Sequence, residues 1–131
     1  MPEMEQPKKV LVVEDEESVR MAIEAGLEVI GNYEVHCAPD AATGMEMLEK
    51  TRPDILLLDL VMPVTDGMEF LRRLKASPSA FRPGKVILMT AHANPVPSGN
   101  LADLGLDLVL PKPFRLNDLA AAVGARKPFD D

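Results

Sequence analysis

The feature that most limits how this chain can fold is a series of short apolar runs separated by segments with helical spacing. Most of these runs are rich in Val, Ile and Leu, and they lie near residues 8–13, 33–37, 55–58, 86–89 and 106–110. Apolar runs without polar alternation are typical of parallel strands that are buried on both faces. Their alternation with helices predicts βαβ units, with helices covering both sides of one parallel sheet.

The segments between the runs carry apolar residues at intervals of three or four, which places their side chains on one face of a helix. The stripes comprise Val19, Ile23, Leu27 and Ile30, then Ala41, Met45 and Leu48, and then Phe70 and Leu71 together with Leu74, which follows them by four and three residues. A last helix is predicted from about residue 115 to residue 123. Helices therefore follow the first, second, third and fifth strands.

The segment after the fourth strand is different. Pro95 and Pro97 restrict the residues before them to extended conformations, which disfavours a helix there. Only residues 101–104, with Asn100 as a cap, favour about one helical turn. We therefore predict a loop-like segment where the fourth helix of the series would stand.

Five strands and five helical segments, the fourth short or irregular, fit an α/β flavodoxin-like doubly wound fold. Its five-stranded parallel sheet has the strand order 2-1-3-4-5. The chain has 131 residues, which suits one domain. We expect a disordered N-terminal lead-in over residues 1–7, the domain over residues 8–127 and a C-terminal tail over residues 128–131.

The charge of the chain argues against several classes of partner. The formal net charge is −7, which repels nucleic-acid phosphates and anionic lipid, so we expect no direct binding to nucleic acid or to a membrane. The single cysteine, Cys37, cannot form an internal disulfide. No secretory signal is visible, and the apolar runs are too short to cross a bilayer. These features favour a cytoplasmic protein.

Reactive side chains stand at the ends of four of the predicted strands. They are Glu14 and Asp15 after the first, Asp59 at the end of the third, Thr90 at the end of the fourth and Lys112 after the fifth. In a doubly wound sheet the carboxyl ends of the strands meet at one edge, where ligands bind. The sequence therefore predicts that these side chains form one site.

Three carboxylates at one edge repel one another, at a cost on the order of 4 kcal/mol for a pair about 4 Å apart. Oxygen ligands with few other protein donors suit Mg²⁺, which also bridges carboxylates to phosphate oxygens. Lys112 supplies a second positive charge, and Thr90 supplies a hydroxyl. Asp59 ends the most apolar strand, and an aspartate in that position can attack phosphorus to form an acyl phosphate.

Four segments carry a family resemblance in the family's order: VLVVEDEESVR, PDILLLDLVMPVTDGMEFL, VILMTAH and VLPKPF. With these four segments, the chain resembles the receiver domain of two-component response regulators, here as a stand-alone, single-domain type. The resemblance implies that Asp59 is the phosphoacceptor and that Asp15 binds Mg²⁺ directly. It also implies that Glu14 helps to hold the metal through water, and that the backbone carbonyl of Val61 is a further ligand.

The same resemblance implies that Thr90 is the switch hydroxyl and that Lys112 binds the phosphoryl group. It further implies a cis peptide bond before Pro113. The domain would assist its own phosphorylation and dephosphorylation without being an enzyme for another substrate. Its phosphoryl donor would be a sensor histidine kinase or a histidine phosphotransfer protein. Its output would be the binding of a downstream protein. The binding face would be formed by the fourth strand, the short fourth helical segment that follows it, and the fifth strand.

One residue departs from the family pattern. Receivers usually carry Tyr or Phe three residues before the lysine, and here the residue is Val109. Valine cannot swing a ring between buried and exposed positions, so coupling through an aromatic side chain is not expected.

Two other functions compete with this one. A phosphohydrolase that passes through a phosphoaspartate would be marked, as in haloacid-dehalogenase-type phosphatases, by a general acid two residues after the nucleophile, and Val61 at that position argues against it. A phosphate-independent protein-binding module with the receiver fold is the other alternative. Val109 and the interrupted fourth helix favour it, whereas Asp59, Thr90 and Lys112 argue against it.

Overall fold

The computed structural model describes residues 6–59, 67–78, 82–91 and 105–124. Within these residues five strands and four helices alternate along the chain. They are β1 (Lys8–Val13), α1 (Glu17–Ile30), β2 (Tyr33–Ala38), α2 (Ala41–Thr51), β3 (Ile55–Asp59), α3 (Gly67–Ala76), β4 (Lys85–Ala91), β5 (Leu108–Lys112) and α4 (Leu116–Gly124). No helix within the described residues is long and apolar enough to span a membrane.

The five strands form one parallel sheet in the order β2-β1-β3-β4-β5, as the sequence predicts for a flavodoxin-like doubly wound fold. The chain reverses its direction of travel across the sheet between β2 and β3, so β1 and β3 are central neighbours. In doubly wound sheets the carboxyl edge at such a switch point is where ligands bind.

The fifth strand is displaced by two residues from the predicted range of 106–110, because pairing with β4 starts only at Leu108. Asp107 precedes it and binds Val86 twice. Its backbone N–H donates to the Val86 carbonyl, and its carboxylate accepts the Val86 N–H, both at 2.8 Å. Lys112 is consequently the last residue of β5 and does not follow the strand. Pro111 is tolerated there because β5 is an edge strand.

Several predictions concern residues outside the described ranges. The loop-like segment and its single helical turn at 101–104 belong to this group, as do Val61 and the C-terminal tail. The lead-in, the domain limits of 8 and 127 and the tail therefore stay predictions.

The sheet separates two apolar layers. Alternate residues of β1 and β3 point to opposite faces, which explains why these strands are apolar at nearly every position. One layer lies under α2 and α3 and includes Leu11, Val13, Leu56, Leu58, Leu48 and Phe70. The other lies under α1 and α4 and includes Val10, Val12, Leu57, Ile23, Leu27 and Leu119. Each fully buried side chain of this size contributes about 1.5–3 kcal/mol of transfer free energy.

Helix α2 approaches the sheet closely at Gly44. A Cβ atom at this position would lie 2.9 Å from Val13 Cγ2 and 3.0 Å from Phe70 Cε2, distances at which the neighbours have to move. Glycine therefore allows α2 to pack directly on the last residue of β1. The packing fixes the end of β1, from which the acidic residues of the candidate site follow.

Helix α2 begins with a side-chain cap. Asp40 has extended backbone angles, and its carboxylate accepts the backbone N–H of Thr43 at 2.7 Å. This hydrogen bond satisfies one of the amide groups that have no partner within the helix. The hydrogen bonds to Thr43 are also the main reason why the pKa of Asp40 lies below its usual value of 3.8.

We predict that Asp40→Ala lowers the free energy of unfolding at pH 7 by about 1 kcal/mol, because the cap is lost. The carboxylate has a lower pKa in the folded state, so its stabilisation is present above pH 3.8 and is lost as the pH falls through the folded pKa. The difference between wild type and variant in urea unfolding should therefore shrink at low pH. Asp40→Asn keeps an acceptor and should lose less. Equal losses for Ala and Asn would contradict a capping role.

Candidate functional site

The five reactive residues selected from the sequence lie at one edge of the sheet. Glu14 and Asp15 follow β1, whereas Asp59 ends β3 and Lys112 ends β5. The strand register aligns these ends, because Asp59 pairs with Met89 and the next residue of β4, Thr90, pairs with Pro111. The parallel arrangement thus brings together side chains that are far apart in the chain.

Three carboxylates form a compact cluster at this edge. Glu14, Asp15 and Asp59 each offer an oxygen, and these oxygens lie within 4.8 Å of one another. Glu14 is fully buried and Asp59 is 5% exposed, whereas Asp15 is partly exposed. Like charges this close raise the free energy of the folded protein unless cations offset them.

Lys112 provides such a cation. Its Nζ atom lies 2.7 Å from Glu14 Oε1 and 3.4 Å from Asp59 Oδ1. The first contact is a charge-assisted hydrogen bond, and the second is a longer ion pair. Lys112 therefore joins the end of β5 to the ends of β1 and β3.

The protonation of this pair reflects a balance between burial and charge. Burial raises the pKa of Glu14 above its ordinary value of 4.5, although the hydrogen bond from Lys112 opposes the shift. Burial also acts to lower the pKa of Lys112, but its contacts with Glu14 and Asp59 outweigh this and raise that pKa above 10.5. The ion pair joins the end of β5 to the residue that follows β1.

Both oxygens of the Glu14 carboxylate accept hydrogen bonds. Oε1 binds Lys112, and Oε2 accepts the backbone N–H of Glu16 at 3.1 Å. The side chain is therefore oriented from two sides. It can contribute charge to an ion in the cluster while both oxygens keep protein donors.

Arg20 was not selected by the sequence analysis, yet it contacts the backbone of the same loop. Its Nη1 atom donates to the carbonyl of Glu14 at 2.8 Å and to the carbonyl of Asp15 at 3.0 Å. Helical side chains lean toward the N-terminus of their helix, which allows Arg20 to fold back over the loop that precedes α1. The signal in the sequence was only its place five residues after Asp15.

Thr90 is 4% exposed and is the second-to-last residue of β4, one residue beyond Met89, which pairs with Asp59. Val109 is partly buried and packs against the apolar layer under α2 and α3. The peptide bond between Lys112 and Pro113 is cis. Val61, whose carbonyl the family resemblance assigns to the metal, lies outside the described residues.

The donor set fits a hard divalent cation. All three acidic side chains offer oxygen, and two of them are buried, where an unbalanced negative charge is costly. Among the described residues no buried side-chain nitrogen or oxygen lacks a hydrogen-bond partner. The cluster is thus already organised by protein contacts.

A mostly apolar groove of about 540 Å³ lies beside this site. One wall is the first part of α1, and the other is the turn after β5, so Lys112 borders both the groove and the acidic cluster. The lining residues include Val19, Ala22, Lys112, Pro113 and Phe114.

We predict that Lys112→Met destabilises the metal-free protein by about 3 kcal/mol, because Glu14 loses its cation while it stays buried. The double variant Glu14→Gln/Lys112→Met should recover most of that loss. Lys50→Met is a matched control, since Lys50 is exposed near the C-terminal end of α2. Urea unfolding in a chelator measures all three, and a single Lys112→Met variant as stable as Lys50→Met would contradict the role of the pair.

Comparisons with known proteins agree with this arrangement. Residues 10–124 match the family model described as the response regulator receiver domain. Among curated relatives, the response regulator MprA of Mycobacterium avium (strain 104) is 35% identical over 127 residues, which cover 94% of this chain and 54% of the relative. The corresponding protein of Mycobacterium leprae is 34% identical over 117 residues, with 89% and 50% covered. The chain spans about half the length of the curated relatives that it matches.

Solved structures give the same result. The chemotaxis response regulator CheY4 of Vibrio cholerae superposes with a TM-score of 0.79 at 27% identity, covering 90% of this chain and 97% of that one. A CheY-like receiver domain protein of Methanospirillum hungatei gives a TM-score of 0.76 at 30% identity, with 90% and 91% covered. The sequence match, the strand order and the acidic edge with its lysine thus point the same way, and the chain belongs to the response regulator receiver domain family, the phosphoacceptor modules of two-component signalling.

Proposed function

We propose that this receiver accepts a phosphoryl group on Asp59 in a Mg²⁺-dependent reaction and so changes its binding to a downstream protein. The observation that carries the proposal is the convergence of Asp59, two further acids and Lys112 at one sheet edge. The donor is a phosphohistidine on a sensor histidine kinase or a histidine phosphotransfer protein. The cytoplasm is the compartment in which such transfer would occur.

Asp59 acts as the nucleophile. One of its carboxylate oxygens attacks phosphorus, an oxygen–phosphorus bond forms, and the phosphorus–nitrogen bond to the donor imidazole breaks. The electron pair of that bond stays on the imidazole nitrogen. The same site would assist the later attack of water that removes the group, so the domain takes part in its own dephosphorylation.

Lys112 and Thr90 receive the transferred group. The Lys112 ammonium is already 3.4 Å from Asp59 Oδ1. A phosphoryl group on Asp59 would bring further negatively charged oxygens close to this ammonium. Thr90 stands one residue beyond the strand partner of Asp59, so its hydroxyl is at the right level of the sheet to bond a phosphoryl oxygen. Both residues would hold the group by charge and hydrogen bonding.

The acidic cluster would hold the Mg²⁺, with Asp15 and Asp59 as direct ligands and the Val61 carbonyl as a further one. Glu14 would act through water, because both of its oxygens already accept protein hydrogen bonds. When bound, the metal neutralises charge on the carboxylates and on the transferring group. Phosphoryl transfer depends mainly on such positioning and neutralisation.

The groove beside Lys112 offers a place for the donor protein. A protein donor has to bring its phosphohistidine within reach of Asp59, and the groove adjoins the site through Lys112. Its apolar wall of α1 and Phe114 suits the apolar side chains of a partner. The donor protein would thus bind in the groove, while the phosphoryl transfer would take place at the neighbouring acidic cluster.

The output is proposed to pass through β4, the segment between β4 and β5, and β5. Val109 is partly buried on this side and packs on the core. Because valine has no ring to rotate, the change would depend on repacking and on the backbone between the strands. If phosphorylation had no such effect, the alternative would be a binding module that keeps the receiver fold without using phosphate.

We predict that incubation with acetyl phosphate adds one phosphoryl group to the wild-type chain and that the addition requires Mg²⁺. Asp59→Asn keeps the size of the side chain but removes the nucleophile, so it should stay unmodified. Intact-mass spectrometry with and without a chelator measures this outcome. Circular dichroism of Asp59→Asn controls for folding.

An adduct on wild type that persists in Asp59→Asn would place the modification on another residue. No adduct on folded wild type, together with no binding of beryllofluoride in the presence of Mg²⁺, would support the phosphate-independent binding module. The two measurements therefore separate a slow phosphoacceptor from a chain that has lost the chemistry.

A further inference from the structure

The loop between β1 and α1 carries two of the three acids, and its backbone is held from one side by a single guanidinium. Arg20 Nη1 has two hydrogens, and they donate to the carbonyls of two consecutive residues, Glu14 at 2.8 Å and Asp15 at 3.0 Å. These are the residues whose side chains enter the acidic cluster. Hydrogen bonds from a charged donor are stronger than those between neutral groups.

The guanidinium has a rigid support. Arg20 belongs to α1, and the same helix is anchored in the core by Ile23 and Leu27, which are both fully buried. The backbone N–H of Arg20 also donates to the carbonyl of Glu16 at 3.1 Å, which fixes the first turn of the helix. Helix α1 thus presents Arg20 to the loop from a fixed position.

We propose that Arg20 is a positioning residue for the metal-binding acids: by holding the carbonyls of Glu14 and Asp15, it sets the directions in which their carboxylates leave the backbone. The inference rests on the proposed Mg²⁺ site and adds to it a residue that would contact neither the metal nor the phosphoryl group, but only the backbone of the acids that hold the metal. Residues that orient metal ligands typically change metal affinity by a factor of 10–100 when they are removed.

The sign of the effect distinguishes positioning from simple electrostatics. Arg20 is a positive charge near an acidic cluster, so by charge alone its removal would strengthen the binding of a cation. If Arg20 positions the acids, its removal weakens binding in spite of the lost repulsion. A role limited to the stability of the fold would leave the affinity of the folded protein unchanged.

The test is Mg²⁺ binding to the purified chain by isothermal titration calorimetry. Arg20→Met keeps the apolar stem and loses the donors, and we expect it to bind Mg²⁺ about tenfold more weakly than wild type. Arg20→Lys keeps a charge with donors and should recover part of the affinity. Lys50→Met is the control for net charge, because it lies near the C-terminal end of α2, away from the site.

A second readout needs no metal. The backbone N–H of Glu16 donates to Glu14 Oε2 at 3.1 Å, so its protection reports the position of that carboxylate. In the metal-free protein, hydrogen exchange measured by NMR should speed up at the Glu16 amide in Arg20→Met. Exchange at amides in the centre of β3 should stay as in wild type. This readout also serves Arg20→Lys if Arg20→Met does not fold.

The possible outcomes separate the two proposals. Weaker Mg²⁺ binding with faster Glu16 exchange supports the positioning role. Unchanged or tighter binding in folded Arg20→Met, or in Arg20→Lys where Met does not fold, overturns the positioning role and leaves the proposed function intact. Wild type that binds no Mg²⁺ overturns both.

Discussion

The buried ion pair between Lys112 and Glu14 is the interaction on which the rest of the site depends. It spans the sheet from the end of β5 to the end of β1, and Asp59 lies beside it on β3. Such a pair is not a strong source of stability, since both charges lose their hydration on burial. The pair instead fixes the orientation of the Glu14 side chain, which is fully buried. One carboxylate oxygen accepts a hydrogen bond from Lys112 of β5, and the other accepts one from the loop that Glu14 belongs to.

The fold makes this arrangement possible through the order of its strands. Because β1 and β3 are neighbours while β2 lies outside them, the residues that follow β1 face the residue that ends β3. The apolar layers on both sides of the sheet then exclude water below the site. Three acids gathered there work against stability, and natural sites often retain such conflicts where function requires them. A cation held by oxygen ligands would relieve the conflict, which links the electrostatics of the edge to its proposed chemistry.

The parts that could be predicted from the sequence are those set by local pattern. Apolar runs and helical stripes predicted the sheet order, and the polar residues after the runs predicted that Glu14, Asp15, Asp59, Thr90 and Lys112 share one edge. The predicted start of β5 was wrong because the Asp107 carboxylate accepts the Val86 N–H, in place of a backbone carbonyl of the strand. The hydrogen bond between Lys112 and Glu14 and the hydrogen bonds from Arg20 to the loop carbonyls were not predicted. Both depend on where long side chains point after the helices have packed, and spacing along the chain does not contain that information.

The Lys112 ammonium lies at unequal distances from Glu14 and Asp59, which indicates how a change at Asp59 would affect β5. Lys112 is nearer to Glu14, at 2.7 Å, than to Asp59, at 3.4 Å. A phosphoryl group on Asp59 would add negative charge on the more distant side and would compete with Glu14 for the ammonium. Because Lys112 ends β5, that competition would act on the strand that carries Val109, which pairs with Leu88 of β4. Because position 109 has no aromatic ring, we expect such a displacement to change the packing between β4 and β5.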